Sequence, residues 1–287
     1  MQQEVRNDGF DVQQLHRSDT VAVSRWQCRG GTGPIELRHA WYVLSFTHSG
    51  TFLLHAGPRT ETIDATRTVV LRPGEPYRLS RSHGRAASGS AVALHPAVFE
   101  RLFARGADSL TRAGADGQPF LLQHLLLLLL VAQPPEEGSA VDEAVLWIFA
   151  QALAAPPSDM LRVAGGKRRD TIAGVQALLA THGTRALQLE EIARAVKRSP
   201  FHLSRAFKQE TGMPMHLYLN RLRIRRALEG VVGRNESVSE LAYAAGYSSH
   251  SHFTEAFRQE FGIAPTEARR LARLRRVAEL RDALAVA

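Results

Sequence analysis

Phe201, Ser204, Arg205 and Lys208 stand at i, i+3, i+4 and i+7, the spacing that puts four side chains on one face of a helix. A narrow stripe that mixes an aromatic ring, a hydroxyl and cations is what a helix needs if it is to lie in a major groove and read base edges. That chemistry requires a rigid helix with fixed ends and one side committed to a core.

The flanking residues meet both requirements. Ser199 is a natural N-cap with Pro200 at the first helical position, and Gly212 sits where a left-handed C-cap residue belongs. Leu203, Ala206 and Phe207 fall together on the other side and face a core. The segment also occurs twice. Residues 199 to 212 and 249 to 262 are identical at seven of fourteen positions, where chance gives roughly one. Three further changes are conservative: Leu203 to Phe253, Ser204 to Thr254 and Lys208 to Arg258. Phe253, Ala256 and Phe257 repeat the core side, and Gly262 repeats the stop.

A shorter amphipathic segment precedes each copy. Leu189 to Val196 leads into the first and Val238 to Ala245 into the second, with Glu191, Ile192, Ala193 and Ala195 recurring as Glu240, Leu241, Ala242 and Ala244. The offset here is 49 rather than 50, so the second turn is one residue longer. A short helix with a central Ala, a tight turn and a capped second helix make a helix-turn-helix, because the small Ala lets the two helices approach closely. Two such motifs in tandem are a specific signal.

Residues from about 168 to 270 resemble the DNA-binding domain of the arabinose-operon regulator (AraC/XylS) family of bacterial transcription regulators. The two motifs, the linker Tyr218 to Leu228 and the segment from Gly246-Tyr247 to Gly262-Ile263-Ala264-Pro265 carry the resemblance. It implies base-reading positions at Phe201, Ser204 and Arg205, and at His250, Ser251, Thr254 and Glu255 in the second helix. Arg205 suits bidentate contact with a guanine and Phe201 contact with a thymine methyl. Lys208 and Arg258 suit phosphates, which give affinity without sequence information. Glu255 departs from the cation often found at its place. A carboxylate accepts from cytosine N4 but repels phosphates, which puts base reading by the second helix in doubt. Among Arg221, Arg223, Arg225 and Arg226 some are expected to be surface ion-pair partners, for example of Glu229.

Charge divides the chain in the same place. From Lys167 onward there are 21 Lys and Arg against 12 Asp and Glu, whereas the first 166 residues hold 15 against 16. The whole excess of +8 therefore sits with the repeat, and a polyanion is that half's natural partner. The N-terminus lacks the apolar stretch of a signal peptide, and the longest apolar run, Leu125 to Ala132, is far short of the roughly 20 residues that span a bilayer. The expected setting is cytoplasmic and nucleoid-associated, with no membrane partner. Cys28 is the single cysteine, which excludes an intramolecular disulfide and a cysteine-rich zinc site.

Residues 20 to 95 read as short strands cut by turns: Val21 to Cys28, Ile35 to His39, Trp41 to Phe46, Thr51 to His55, Arg67 to Arg72, Tyr77 to Ser80 and Ala91 to Leu94. Their spacing suggests a sandwich or barrel. The strand order and the Pro73-Gly74-Glu75-Pro76-Tyr77 turn resemble the cupin-type N-terminal domain found in many members of the same family, which implies a domain that holds a small effector or supports dimerisation. No effector site is identified by the sequence. His39, His48, His55, His83 and His95 lie here, but without the His-x-His spacing that converges ligands on an ion, so neither metal nor cofactor is expected. His250-Ser251-His252 has that spacing at a helix start, where the rings point apart.

Helical patterns follow at Val98 to Ala104, Pro119 to Gln133 and Val141 to Ala154, with Pro134-Pro135 between the last two. The leucine-rich second helix has so little polar surface that it must be buried, either against the strands or against a second chain. Family members commonly dimerise through helices placed here, so a homodimer is one expectation and intrachain burial the other. Thr171 to His182 is a further helix that packs on the first motif.

The expected fold is α+β and multidomain: a cupin-like β-barrel or sandwich with following helices at 1–157, a linker at 158–168, an all-α domain with two helix-turn-helix motifs joined by a linker helix at 169–272, and a helical tail at 273–287. The expected partners are double-stranded promoter DNA, RNA polymerase and a small-molecule effector, and the role is not enzymatic. A cupin-type metalloenzyme with an appended DNA-binding domain is the alternative, weakened by the missing metal triad. A DNA-binding architectural or repair protein is a third reading, and a single cysteine cannot supply the reactive or zinc-bound thiols of repair relatives.

Overall fold

The computed structural model describes residues 10–29, 34–57, 59–81, 86–103, 117–132, 138–154, 166–182, 189–233, 236–274, 276–277 and 279–280. His83, the Pro134-Pro135 break and most of the expected linker and tail lie outside the described residues. Among the described residues nine strands come first: β1 (Phe10–Arg17), β2 (Val21–Cys28), β3 (Ile35–Leu37), β4 (Tyr42–Ser49), β5 (Phe52–Ala56), β6 (Arg59–Ile63), β7 (Thr68–Leu71), β8 (Tyr77–Arg81) and β9 (Ala87–Leu94). They pair into a five-stranded sheet of order β1-β2-β9-β4-β7 and a four-stranded sheet of order β3-β8-β5-β6, and every strand pair is antiparallel.

Alternation along these strands makes the sandwich. Phe10, Trp26, Val69 and Ala87 of the larger sheet meet Phe52 and Ile63 of the smaller in one core. The other face of the larger sheet presents Val21, Val23, Leu44, Phe46, Val92 and Leu94 to helices α1 (Pro96–Phe103), α2 (Gly117–Ala132) and α3 (Gly138–Ala154). In α2, Phe120, Leu121, Leu122, Leu125, Leu126, Leu127, Leu129 and Leu130 are all buried within the one chain. Intrachain packing therefore accounts for the leucine-rich helix, and its apolar surface does not call for a second copy.

The remaining helices are α4 (Gly166–His182), α5 (Leu189–Ala195), α6 (Pro200–Thr211), α7 (Met215–Gly233), α8 (Val238–Ala244), α9 (His250–Phe261) and α10 (Pro265–Leu271). Helix α4 starts five residues before the expected Thr171, so Gly166 to Arg168 are helical. Two cores divide this half. Ile172, Val175, Leu179, Ile192, Leu203, Phe207, Tyr218 and Leu222 form one around α4 to α6 and the first half of α7. Ile224, Leu228, Val231, Leu241, Phe253, Phe257, Phe261 and Leu271 belong to the second motif, and their core is continuous with that of α2 and α3.

The two halves are thus packed on each other, and buried polar groups mark where. In the β6–β7 turn, the Asp64 carboxylate accepts from Thr66 N at 2.8 Å and Thr66 Oγ1 at 2.6 Å, and also from the Tyr218 hydroxyl on α7. Gln176 Nε2 on α4 donates to Tyr218 Oη at 2.9 Å. Burial and the neighbouring Asp64 carboxylate hold the Tyr218 phenol well above its ordinary pKa, so it stays a donor. Arg225 on α7 donates from Nε to Glu260 Oε1 of α9 at 2.6 Å and from Nη1 to the Ala65 carbonyl at 2.9 Å, with its guanidinium 4.9 Å from the Phe120 ring. Arg221 Nε adds a bond to Glu260 Oε2 at 3.0 Å. Gly117 opens α2 against α9 so closely that a Cβ there would sit 1.8 Å from the Glu260 carbonyl oxygen. The N-terminal half therefore grips both helix-turn-helix units, through the β6–β7 turn and through α2.

These bonds sort the arginines of α7: Arg221, part-exposed, is an ion-pair partner, of Glu260. Arg225 and Arg226 are not surface partners of Glu229: Arg225 is buried against Glu260 and Ala65, and Arg226 donates to the Ala180 carbonyl.

Candidate nucleic-acid interface

The two motifs are built alike at atomic detail. Ser199 Oγ accepts from His202 N at 3.3 Å and Ser249 Oγ from His252 N at 3.2 Å, which caps α6 and α9 with the same bond. Gly212 and Gly262 close the helices in the left-handed region, at φ 78° and 80°, each donating its N–H at 2.8 Å to Lys208 O or Arg258 O. In the turns, Arg198 N donates to Ala193 O at 2.9 Å and Tyr247 N to Ala242 O at 3.0 Å. The residue before each donor has positive φ, 52° at Lys197 and 84° at Gly246, so the first motif holds with a lysine a conformation that glycine takes without strain. The extra residue of the second turn therefore falls after this shared bend, at Ser248.

Both helices bury one side and leave the other open. Leu203 and Phe207, and Phe253, Ala256 and Phe257, are buried, while Phe201, Arg205 and Lys208 are exposed and Ser204 is part-exposed. Phe201 is 71% exposed, an unusual cost for an aromatic ring on a helix that buries Phe207, and one that a partner surface would recover. His250, Ser251, Glu255 and Arg258 are exposed on α9. Thr254 has a buried hydroxyl with no hydrogen-bond partner among the described residues. Glu255 is engaged by Gln259, whose Nε2 donates to Oε1 at 3.0 Å. The first stripe carries two cations, whereas Glu255 and Arg258 cancel on the second.

The stripe read from sequence missed its own flank. Arg198, His202, Arg205 and Gln209 recur at i, i+4, i+7 and i+11 and border an open cleft between α4 and α6. The signal lies in the spacing of these four residues. Elsewhere, the histidines of the sandwich are occupied structurally. His39 Nε2 meets the Tyr77 hydroxyl at 2.6 Å, and His55 meets Thr60 Oγ1 at 3.0 Å and Ser80 Oγ at 2.6 Å. Among the described residues no three His, Cys, Asp or Glu side chains gather as an ion site.

Comparison with known proteins points the same way as this geometry. Residues 192–271 match the family model described as a helix-turn-helix domain. The chain is 38% identical over 93 residues to the HTH-type transcriptional activator RhaS of Escherichia fergusonii, covering 32% of this chain and 34% of that protein. It is 31% identical over 144 residues to RhaS of Citrobacter koseri, covering 49% and 52%. The chain thus spans about a third to a half of the length of these curated relatives. A solved structure of a transcriptional regulator with an AraC-type DNA-binding domain from Chromobacterium violaceum is 29% identical, covers 36% of this chain and 92% of that one, and superposes with a TM-score of 0.34. Over residues 192–271 the chain therefore carries a helix-turn-helix domain similar to that of the RhaS transcriptional activators.

Proposed function

We propose that the protein is a sequence-specific regulator that binds promoter double-stranded DNA with α6 and α9 in successive major grooves, and that the N-terminal sandwich controls it. The observation that carries this reading is the pair of equivalent helices, each capped identically, each burying one side and each leaving the opposite stripe open to solvent. The curated relatives are named transcriptional activators. A reading of α6 as the main base-reader follows from its two exposed cations and exposed Phe201, and a weaker role for α9 follows from Glu255. Residues 1–157 are the regulatory domain in this account and 169–272 the DNA-binding domain. Binding of a small effector in the sandwich, or pairing of two copies, acts on the grip described above and so alters how the two reading helices meet their site and recruit RNA polymerase. No catalytic role is assigned.

Equilibrium binding to a selected site and to a scrambled duplex, across a salt series, tests the residue roles. Arg205→Ala is expected to cost about 1–3 kcal/mol on the selected site and to relax preference at one base position. An equal loss on both duplexes would make Arg205 a backbone contact. Lys208→Ala is expected to weaken both duplexes alike and to reduce the salt slope by about one, and an unchanged slope would remove Lys208 from the interface.

A further inference from the structure

The cleft beside the α6 stripe has a composition that the base-reading role does not use. It measures about 620 Å³ and is bordered by Arg168, Arg198, His202 and Arg205 over a floor that includes Ile172 and Leu203, with no acidic residue among the described residues of its lining. Arg168 reaches it from α4, held by Glu210 through Nε at 2.7 Å and Nη2 at 2.6 Å, so its guanidinium is oriented rather than free-swinging. Arg198 is exposed, and its backbone is fixed by the turn bond to Ala193 O at 2.9 Å. Arg205 belongs both to the cleft and to the stripe that starts at Phe201.

This adjacency sets what the cleft can meet. A helix lying in a major groove is bounded on each side by a rim of phosphates, and the face next to its base-reading stripe turns toward one rim. The face made by residues 198, 202, 205 and 209 runs along α6 on one flank of the stripe, and α4 adds a cation across the gap. An open trough with three guanidinium groups, one of them held by Glu210, suits a continuous run of phosphates better than an enclosed small molecule. We infer that the cleft between α4 and α6 seats the phosphate backbone of the duplex whose bases the α6 stripe reads, with Arg198 and Arg168 as backbone anchors. This rests on the proposed function and extends it to residues outside the stripe. His202 contributes as a hydrogen-bond donor, and Glu210 acts by positioning Arg168.

The test is fluorescence anisotropy of wild type, Arg198→Ala and Arg198→Lys on a selected and a scrambled duplex across a salt series. Arg198→Ala is expected to lose affinity by the same factor on both duplexes and to reduce the salt slope by about 0.9, with the slope restored in Arg198→Lys. Wild-type binding with an Arg198→Ala variant unchanged in both affinity and slope overturns the cleft assignment alone. Saturable binding of inorganic phosphate at constant ionic strength, lost in Arg198→Ala while duplex affinity is kept, gives the cleft to a free anion and overturns it too. Wild-type protein that binds neither duplex at low salt overturns the regulator reading and the cleft assignment together.

Discussion

Arg225→Ala is expected to lower unfolding stability by about 3–5 kcal/mol, because removing one partner of a buried ion pair leaves the other charge uncompensated. The Arg225 side chain has no exposed surface and that of Glu260 only 9%. Arg221 remains at 3.0 Å from Glu260 and softens the loss, yet the Ala65 carbonyl also loses its donor and Phe120 its cation. All of these groups lie where the N-terminal domain meets the second helix-turn-helix, so the variant is also expected to split unfolding into separate steps for the two halves. Denaturant titration followed by a probe in each half measures both effects. A loss below about 1 kcal/mol with one coincident transition would show that the grip is not held by this pair.

The second large effect is a dependence on pH that comes from beneath α2. His48 and His124 lie with ring centroids 5.1 Å apart, and His48 Nε2 is 3.1 Å from Gln123 Nε2 and from Ser90 Oγ. The amide nitrogen can only donate, so it holds His48 with its proton on Nδ1. Burial pushes His48 down from 6.5 to about 4, with Arg25 adding to the fall, and pushes His124 down to about 3, with His48 and Arg25 adding. Both imidazoles are neutral in the native state, whereas the unfolded chain takes up protons below pH 6.5. Stability present above that pH is therefore lost as pH falls toward 4, by about 3 kcal/mol for His48 alone, and the loss levels off below the native values. Chemical denaturation at pH 7.5, 6, 5 and 4.5 reads the slope, which His124→Gln should flatten. A profile that His124→Gln leaves unaltered would place the acid sensitivity elsewhere.

How much was legible in the sequence follows from which signals are local. Caps, turn glycines and helical spacing belong to single segments, so both reading helices emerged within a residue of their observed ends. Strands β1 and β6, each at a sheet edge, did not emerge, because their sequences lack a readable apolar alternation. The sequence FDVQQLHR buries Phe10 and leaves most of its other residues exposed, while RTETI is polar except at its end, so neither shows the alternation of a two-sided strand. The cluster of Asp64, Tyr218, Arg225 and Glu260 was invisible for another reason. Its members are up to 196 residues apart, and only the fold reveals that arginines on a cationic helix face point inward. Leu121 to Leu130 announced burial but not its partner, which proved to be the second motif as much as the sheet.

The central claim is that two helices of one chain read one duplex. It is tested most directly by selecting bound sequences from a random duplex pool with the purified protein at near-physiological salt. The expected result is an enriched site with two short blocks about one helical turn, roughly 10 base pairs, apart, the stronger block assigned to α6 by its loss in Arg205→Ala. A single enriched block, or no enrichment from a pool that the protein demonstrably binds, would contradict it.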